Sequence, residues 1–244
     1  MNNKMIRYVL SNILKLEAVF MIVPLILSIY YQEKTLVSLA HLFTILLLIG
    51  TAYLLSKKQP ENVQIFAKEG LFIVAFSWLA LSFFGALPFV ISREIPSFVD
   101  AFFEVVSGFT TTGASILSNV EALSHSLLYW RSFTHFVGGM GVLVLALAIL
   151  PKNNNQSLHI MKAEVPGPTV GKLVSKMTYN SRILYMIYIF LTLLITLFLY
   201  LGGMPLFDSV LHTFGTVGTG GFGIKNTSVA YYHSAYIEYV LAIG

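Results

Sequence analysis

The sequence contains two related stretches, DAFFEVVSGFTTTG at residues 100–113 and DSVLHTFGTVGTGG at residues 208–221. Each opens on an aspartate, a residue type that suits a helix N-cap. Each carries a short apolar run, about 97–109 in the first copy and 206–214 in the second, and then a segment rich in glycine and threonine. Apolar runs of roughly 10–14 residues are typical of re-entrant or buried helices. The two stretches therefore predict a pair of half-helices, each followed by irregular backbone.

The similarity extends beyond these stretches. Aligning the two aspartates gives an offset of 108 residues (208 − 100), which places Gly113 on Gly221. The same offset carries an apolar run at 71–91 roughly onto another at 183–202. The repeating unit is a helix, a half-helix, a Gly/Thr segment and a second helix. Internal repeats are common in membrane transport proteins, because equivalent elements can line one pathway.

The composition indicates an all-α integral membrane protein. Of the 244 residues, 56% are hydrophobic and 11% are charged, and the mean hydropathy is +0.77. Soluble domains carry about 25% charged residues. A further apolar run begins near Tyr236 and continues to Gly244, so we expect the last helix of the second repeat to be incomplete. Predicted spans, each close to the roughly 20 apolar residues that a bilayer requires, lie near 8–30, 36–55, 71–91, 132–150 and 183–202.

The distribution of basic residues predicts the orientation. Cytoplasmic loops carry an excess of Lys and Arg. Segments 1–15, 56–70 and 151–182 hold 11 of the 15 basic residues, and the other connections hold only Lys34, Arg93, Arg131 and Lys225. We therefore place the N-terminus and the 151–182 loop in the cytoplasm, which agrees with five spans that alternate from an inner N-terminus.

The Gly/Thr segments form the predicted functional site. Irregular backbone survives at membrane depth only inside protein or along a water-filled path. Glycine permits conformations that point successive carbonyls to one side, and threonine adds a hydroxyl oxygen. Such oxygens can replace the hydration shell of a permeating cation, and the C-terminal end of a half-helix favours positive charge. Neither segment contains a carboxylate, which argues against a divalent-ion site. The candidate ligands are Thr110, Thr111, Thr112, Gly113, Gly218, Thr219, Gly220 and Gly221.

Other conspicuous residues receive a structural interpretation. The GGMG motif at 138–141 suits close helix packing, and Arg131 is expected to pair with Glu104 or Glu121. Cysteine is absent, and the histidines show no metal-ligand spacing. We find no arrangement typical of an enzyme and no basic stripe interleaved with aromatic residues. The residues therefore predict neither catalysis nor nucleic-acid binding.

Several motifs together resemble the Trk/Ktr family of bacterial potassium-uptake proteins. They are GFTTTGA at 108–114, Trp130-Arg131, GGMG at 138–141 with the run to Leu150-Pro151, MKAEVPGP at 161–168 and HTFGTVGTGGF at 212–222. The last two motifs favour the TrkH type of membrane subunit over the KtrB type.

The resemblance implies two preliminary helices followed by four helix–pore-loop–helix units around one pathway. It implies potassium uptake across the bacterial cytoplasmic membrane, a homodimer, a cytoplasmic nucleotide-binding regulatory partner of the TrkA type, and no cofactor besides the transported ion. On this pattern the chain divides into two preliminary transmembrane helices at 1–58, a first repeat at 59–151, a cytoplasmic connector at 152–182 and a truncated second repeat at 183–244.

The resemblance also implies that the Gly/Thr segments are selectivity filters. Potassium would contact Thr111, Thr112, Thr219 and Gly220, with Ala114 and Phe222 adjoining the site. Sodium or ammonium stays open as an alternative, because carbonyl filters discriminate through geometry and field strength. A transporter of a small solute is less favoured, because few polar residues lie at mid-membrane. With two of the four repeats, the chain is expected not to conduct alone unless two copies complement each other.

Overall fold

The computed structural model describes residues 3–57, 67–141 and 177–244, and over these ranges it contains helices and connections but no strand. We number the α-helices in chain order. They are α1 (Asn3–Phe20), α2 (Ile22–Tyr30), α3 (Thr35–Ser56), α4 (Ala67–Ile91), α5 (Phe98–Phe109), α6 (His125–Gly139), α7 (Met177–Leu201), α8 (Leu206–Val217) and α9 (Ala235–Ile243), with short 3-10 helices at Val120–Ala122 and Ser228–Tyr232.

Four helical stretches in the described ranges are long and apolar enough to cross a membrane. The fifth predicted span, 132–150, begins within α6, but from residue 142 onward it lies outside the described residues, as does most of the predicted connector at 152–182. The all-α, multi-pass architecture expected from the sequence is confirmed. The four stretches are Asn3–Tyr30, Thr35–Ser56, Lys68–Ile91 and Ile183–Leu201.

The first span is one nearly continuous helix, interrupted at Met21 between α1 and α2. Pro24 lies in the first turn of α2 and has no N–H to donate to the carbonyl of Phe20. Its ring also crowds the preceding turn. The neighbouring bond, from the Leu25 N–H to the Met21 carbonyl, is long at 3.3 Å. Proline chemistry therefore explains the interruption inside the predicted 8–30 span.

The apolar core extends through the bundle, with buried residues of α1, α3, α4, α5, α6 and α8 in one cluster. Trp130 of α6 is 1% exposed, and its Nε1 donates a hydrogen bond to the Gly85 carbonyl of α4 at 3.0 Å. Other large apolar side chains point outward, such as Leu46 of α3 at 59% exposed and Leu193 of α7 at 65%. Lipid tails are as apolar as leucine, so this arrangement suits a helix bundle that is surrounded by lipid.

The predicted half-helices are confirmed as α5 and α8. Each has 12 residues, or about 18 Å at a rise of 1.5 Å per residue, well short of a bilayer core of about 30 Å. The second one extends three residues beyond the predicted 206–214 stretch, to Val217. The spanning helices that precede them, α4 and α7, have 25 residues each. The architecture thus repeats as the 108-residue offset predicts.

The N-cap prediction for the two aspartates is wrong. Ser97 is the N-cap of α5, and its side chain accepts a hydrogen bond from the Asp100 N–H at 3.4 Å. Pro205 occupies the N-cap position of α8. Asp100 and Asp208 are each the third residue of their half-helix and so lie in its first turn. A carboxylate in this turn still interacts favourably with the helix dipole.

Candidate functional site

The two Gly/Thr segments adopt the same backbone. In the first, φ is 53° at Thr111 and 74° at Gly113; in the second, it is 56° at Thr219 and 73° at Gly221. Positive φ is uncommon for residues other than glycine, and for a β-branched residue it is an outlier. Its recurrence at both positions of a 108-residue repeat (219 − 111) indicates that this backbone is a specified feature.

The N–H groups of both segments are used by the half-helix that precedes them. The amides of Thr110, Thr111 and Thr112 donate to the carbonyls of Val106, Gly108 and Ser107 at 2.8, 3.0 and 3.0 Å. The second segment repeats these bonds at the same offset, from Gly218, Thr219 and Gly220 to Phe214, Thr216 and Gly215 at 3.1, 2.9 and 2.9 Å. In the described part of the chain, nothing donates a hydrogen bond to the carbonyl oxygens of 110–113 or 218–221. These oxygens therefore have unused hydrogen-bonding capacity.

Four of the eight residues in the two segments are exposed. Thr110, Thr112, Thr219 and Gly221 are exposed, and only Gly218 is buried. Thr110 Oγ1 donates to the Val106 carbonyl at 2.7 Å and lies 2.8 Å from Thr112 Oγ1. Beside the second segment lies a cavity of about 440 Å³, lined in part by Thr219, Gly220 and Gly221.

The two segments meet at Gly113. A Cβ on this residue would overlap the carbonyl oxygen of Gly220 in the other segment. Glycine is required here for two reasons, its positive φ and this close approach. The fold therefore brings together the two Gly/Thr segments that the sequence placed 108 residues apart.

The glycines of α6 hold this helix against both half-helices. A Cβ on Gly138 would overlap the carbonyl oxygen of Phe109, the last residue of α5. A Cβ on Gly139 would lie 2.6 Å from the Cα of Gly218, the residue that caps α8. Such approaches are possible only with small residues, which supports the packing interpretation of the 138–141 motif.

Arg131 pairs with Glu104, one of its two predicted partners. Its Nε lies 2.6 Å from Glu104 Oε1, and the two side chains are 2% and 0% exposed. The other candidate, Glu121, accepts a hydrogen bond from the Asn226 N–H at 2.9 Å. Asn226 Oδ1 in turn accepts from the Val120 N–H at 2.9 Å. Hydrogen bonds thus join the connection that follows the first segment to the connection that follows the second.

Phe222 and His135 form a contact that the sequence did not predict. Their rings stack with centroids 3.9 Å apart, and the Phe222 N–H donates to His135 Nδ1 at 3.4 Å. The guanidinium of Arg131 lies 3.6 Å from the Phe222 ring centroid. Ala114 occupies the equivalent position of the first copy, so the repeat carried no signal for this stack.

The connection after the second segment returns to the start of α8. Tyr232 donates a hydrogen bond from its hydroxyl to Asp208 Oδ2 at 2.7 Å, and Lys225 Nζ lies 3.8 Å from the same oxygen. Burial and then the bond to Asp208 raise the pKa of Tyr232. Across the described ranges, His, Asp and Glu form no group of three or more that could hold a metal ion.

Two copies of a spanning helix, a half-helix and a Gly/Thr segment define an integral membrane protein of the helix–pore-loop–helix class. The comparison with known families is more specific. Residues 37–244 match the TrkH family, described as a cation transport protein. The chain belongs to this family, which confirms the resemblance that the sequence motifs indicated.

Individual relatives give the same result. The chain is 37% identical over 226 residues to the Trk system potassium uptake protein TrkH of Salmonella typhimurium, covering 91% of this chain and 46% of that protein. It is 36% identical over 228 residues to TrkG of Escherichia coli K12, covering 92% and 47%. The crystal structure of the potassium transporter TrkH from Vibrio parahaemolyticus matches with a TM-score of 0.84 at 28% identity, covering 100% and 49%. The chain thus spans about half the length of these relatives.

Proposed function

We propose that this chain is a membrane component of a potassium-uptake system, in which the carbonyl oxygens of Thr110–Gly113 and Gly218–Gly221 bind potassium in place of water. The observation that carries the proposal is the matched backbone of these segments. Both have positive φ at the same two positions, and both turn their amides back into a half-helix. Both leave carbonyl oxygens to which no described residue donates. Filters for monovalent cations are built from such oxygens.

The charge of the site supports a monovalent cation. Neither segment contains an acidic residue, whereas sites for divalent ions usually include carboxylates. The partial negative charge comes instead from the C-terminal ends of α5 and α8. Within the proposed filter, Thr111, Thr112, Thr219 and Gly220 would contact the ion. The choice of potassium over sodium or ammonium is drawn from the relatives, which are potassium-uptake proteins.

The family resemblance supplies the remaining parts of the proposal. The chain would provide two preliminary helices (1–58), a first repeat (59–151), a cytoplasmic connector (152–182) and part of a second repeat (183–244). It would lie in the bacterial cytoplasmic membrane with its N-terminus inside, as the basic residues predict. A homodimer and a regulatory partner of the TrkA type would complete the system.

The test measures potassium-dependent growth and rubidium uptake in a bacterial strain that lacks its own potassium-uptake systems. The chain is expressed alone and, in parallel, completed with the remaining half of Escherichia coli TrkH. Three variants replace a positive-φ glycine by alanine: Gly113→Ala, Gly221→Ala and the control Gly203→Ala. Gly203 has a φ of 91° in the α7–α8 turn, and a Cβ there would meet nothing within 4 Å.

The three variants impose similar backbone strain but differ in location. We expect the two filter variants to lose rubidium uptake or preference over sodium, with the larger loss for Gly113→Ala, whose Cβ also overlaps Gly220. The control should keep both. Equal effects of all three variants at equal membrane abundance would overturn the filter assignment. Sodium uptake without rubidium uptake would reassign the ion.

A further inference from the structure

The buried pair of Glu104 and Arg131 contacts the chain just beyond both Gly/Thr segments. The Glu104 carboxylate accepts hydrogen bonds from Ser115 Oγ at 2.8 Å and from the Ile116 N–H at 3.0 Å. Arg131 Nη1 donates to the Gly223 carbonyl at 2.8 Å. One ion pair, 2.6 Å long, therefore connects the end of the first segment to the end of the second.

Stability alone is a weak explanation for this pair. Removing two charges from water is costly, and apolar residues of similar volume often serve a buried position as well or better. The pair does, however, offer directed hydrogen bonds that apolar residues cannot make. It also places the guanidinium 3.6 Å from the centroid of the Phe222 ring, directly after the second segment. The property that distinguishes this ion pair from apolar residues is therefore that it fixes the positions of the groups that it contacts.

The second repeat cannot form the same pair from its own residues. The offset of 108 places His212 on Glu104 (104 + 108). Because α6 and α9 begin 110 residues apart (235 − 125), the residue of α9 that corresponds to Arg131 is Leu241 (131 + 110). Leu241 is apolar and has no charge that could pair with an acidic residue. The Glu104–Arg131 pair is therefore not a standard part of each repeat. It is a link from the first repeat to the second.

We propose that Glu104 and Arg131 are positioning residues that fix the two filter segments relative to each other and thereby set the cation preference. The inference rests on the proposed function of these segments. A carbonyl filter discriminates between ions through its geometry and field strength. If the pair is lost, the chain at Ser115, Ile116 and Gly223 can shift, and the spacing between the carbonyl groups of the two segments changes with it.

The decisive variant is the double replacement Glu104→Met with Arg131→Met. It leaves no unpaired buried charge, so folding is retained, but it removes every directed hydrogen bond of the pair. The single variant Arg131→Met leaves the buried Glu104 carboxylate without its cationic partner. It therefore shows separately how much the chain is destabilised by an unpaired buried charge. Lys225→Met is the control, because it breaks the partly exposed Lys225–Asp208 pair (3.8 Å, with side chains 23% and 13% exposed) in the same connection.

The assay measures rubidium and sodium uptake by the chain alone and by the completed chain described above, at equal membrane abundance. We expect the double variant to fold and to lose most of its rubidium-over-sodium preference, because the geometry of the carbonyl groups that sets this preference is no longer fixed. The Lys225→Met control should keep the ratio of the unsubstituted chain. A double variant with an unchanged ratio overturns the positioning role.

Failure of the proposed function gives a different result. If the unsubstituted protein transports neither ion in either form, the filter proposal fails, and hydrogen exchange of the purified chain tests the pair directly. Faster amide exchange at both 114–117 and 222–224 in Arg131→Met, but not in Lys225→Met, supports the link between the segments. Faster exchange confined to 222–224, or no change, overturns it.

Discussion

Replacing Gly138 by alanine tests the packing of α6 against the first half-helix. The added Cβ would overlap the carbonyl oxygen of Phe109, and it would lie 2.8 and 3.1 Å from the carbonyl carbon and the Cα of the same residue. These are backbone atoms at the end of α5, so no side-chain rotation relieves the clash. Either α6 or the half-helix must move. The matched control is Gly50→Ala in α3, where a Cβ would meet nothing within 4 Å.

The magnitude follows from comparing the two variants. Alanine gains about 1 kcal/mol over glycine in a helix interior, and to first order this gain cancels between Gly138 and Gly50. The difference then isolates the overpacking cost of about 1–3 kcal/mol. For a protein of this size, each kcal/mol shifts the melting temperature by roughly 2–4 °C. Gly138→Ala should therefore melt roughly 2–12 °C below Gly50→Ala.

The assay is thermal unfolding of the purified chain in detergent, followed by the fluorescence of Trp78 and Trp130 under identical conditions for both variants. Circular dichroism confirms that each variant is helical before heating. A Gly138→Ala protein that melts at or above the temperature of Gly50→Ala would refute the reasoning, because it would show that α6 is not held against the end of α5.

Three further predictions concern buried groups elsewhere in the bundle. Glu17 is 1% exposed, and neither carboxylate oxygen has a hydrogen-bond partner in the described part of the chain. Because an unpaired buried charge is costly, Glu17→Gln should match or raise the melting temperature. A clear decrease in the melting temperature would contradict this prediction. Trp130→Phe removes the 3.0 Å hydrogen bond to the Gly85 carbonyl and should destabilise the chain by about 1 kcal/mol. Thermal unfolding followed by circular dichroism measures this effect. An unchanged melting temperature would show that the hydrogen bond contributes nothing to stability. Burial raises the pKa of Glu94 from 4.5, and the hydrogen bonds from Ser124 oppose this increase. The folded state therefore holds the proton of Glu94 more tightly than the unfolded state. The stability that this proton contributes is full below the unfolded pKa and is lost as the pH rises through the folded pKa. As the pH rises above 4.5, the melting temperature of the unsubstituted chain should fall relative to that of Glu94→Gln. Melting temperatures of the two proteins that change in parallel with pH would contradict the prediction.

The features that could be predicted from the sequence depend on local patterns. Apolar runs of spanning length predicted α3, α4 and α7 with ends that differ from the observed ones by at most six residues, and the shorter runs predicted the half-helices α5 and α8. The 108-residue offset predicted that the helix, half-helix and Gly/Thr segment occur twice. These inferences succeed because a bilayer imposes length and composition on each segment separately.

The features that were missed depend on contacts between distant segments. From the sequence, Glu104 and Glu121 are both candidate partners of Arg131. The pattern does not distinguish them, because the pairing depends on how α5 lies relative to α6. The stack of His135 on Phe222 joins residues 87 apart, and nothing in the local pattern of either residue indicates it. At Asp100 the N-cap error has a local cause, because Ser97 competes for the same role and serine caps equally well.

The two Gly/Thr segments separate backbone requirements from packing requirements. The copies are identical only at the positive-φ positions, threonine at 111 and 219 and glycine at 113 and 221. A threonine held at positive φ twice is strained, and such strain persists where the surrounding structure imposes it, which is common at functional sites.

The differing positions follow their neighbours instead. Where the first copy has Thr110 and Thr112, both exposed, the second has Gly218 and Gly220. A Cβ on Gly218 would lie 2.5 Å from the His135 carbonyl oxygen, and one on Gly220 would overlap the His135 ring. The second segment is therefore richer in glycine because α6 packs against it, and not because its backbone differs. The shared residues specify the conformation of the proposed filter, and the variable ones allow the first repeat to pack against the second.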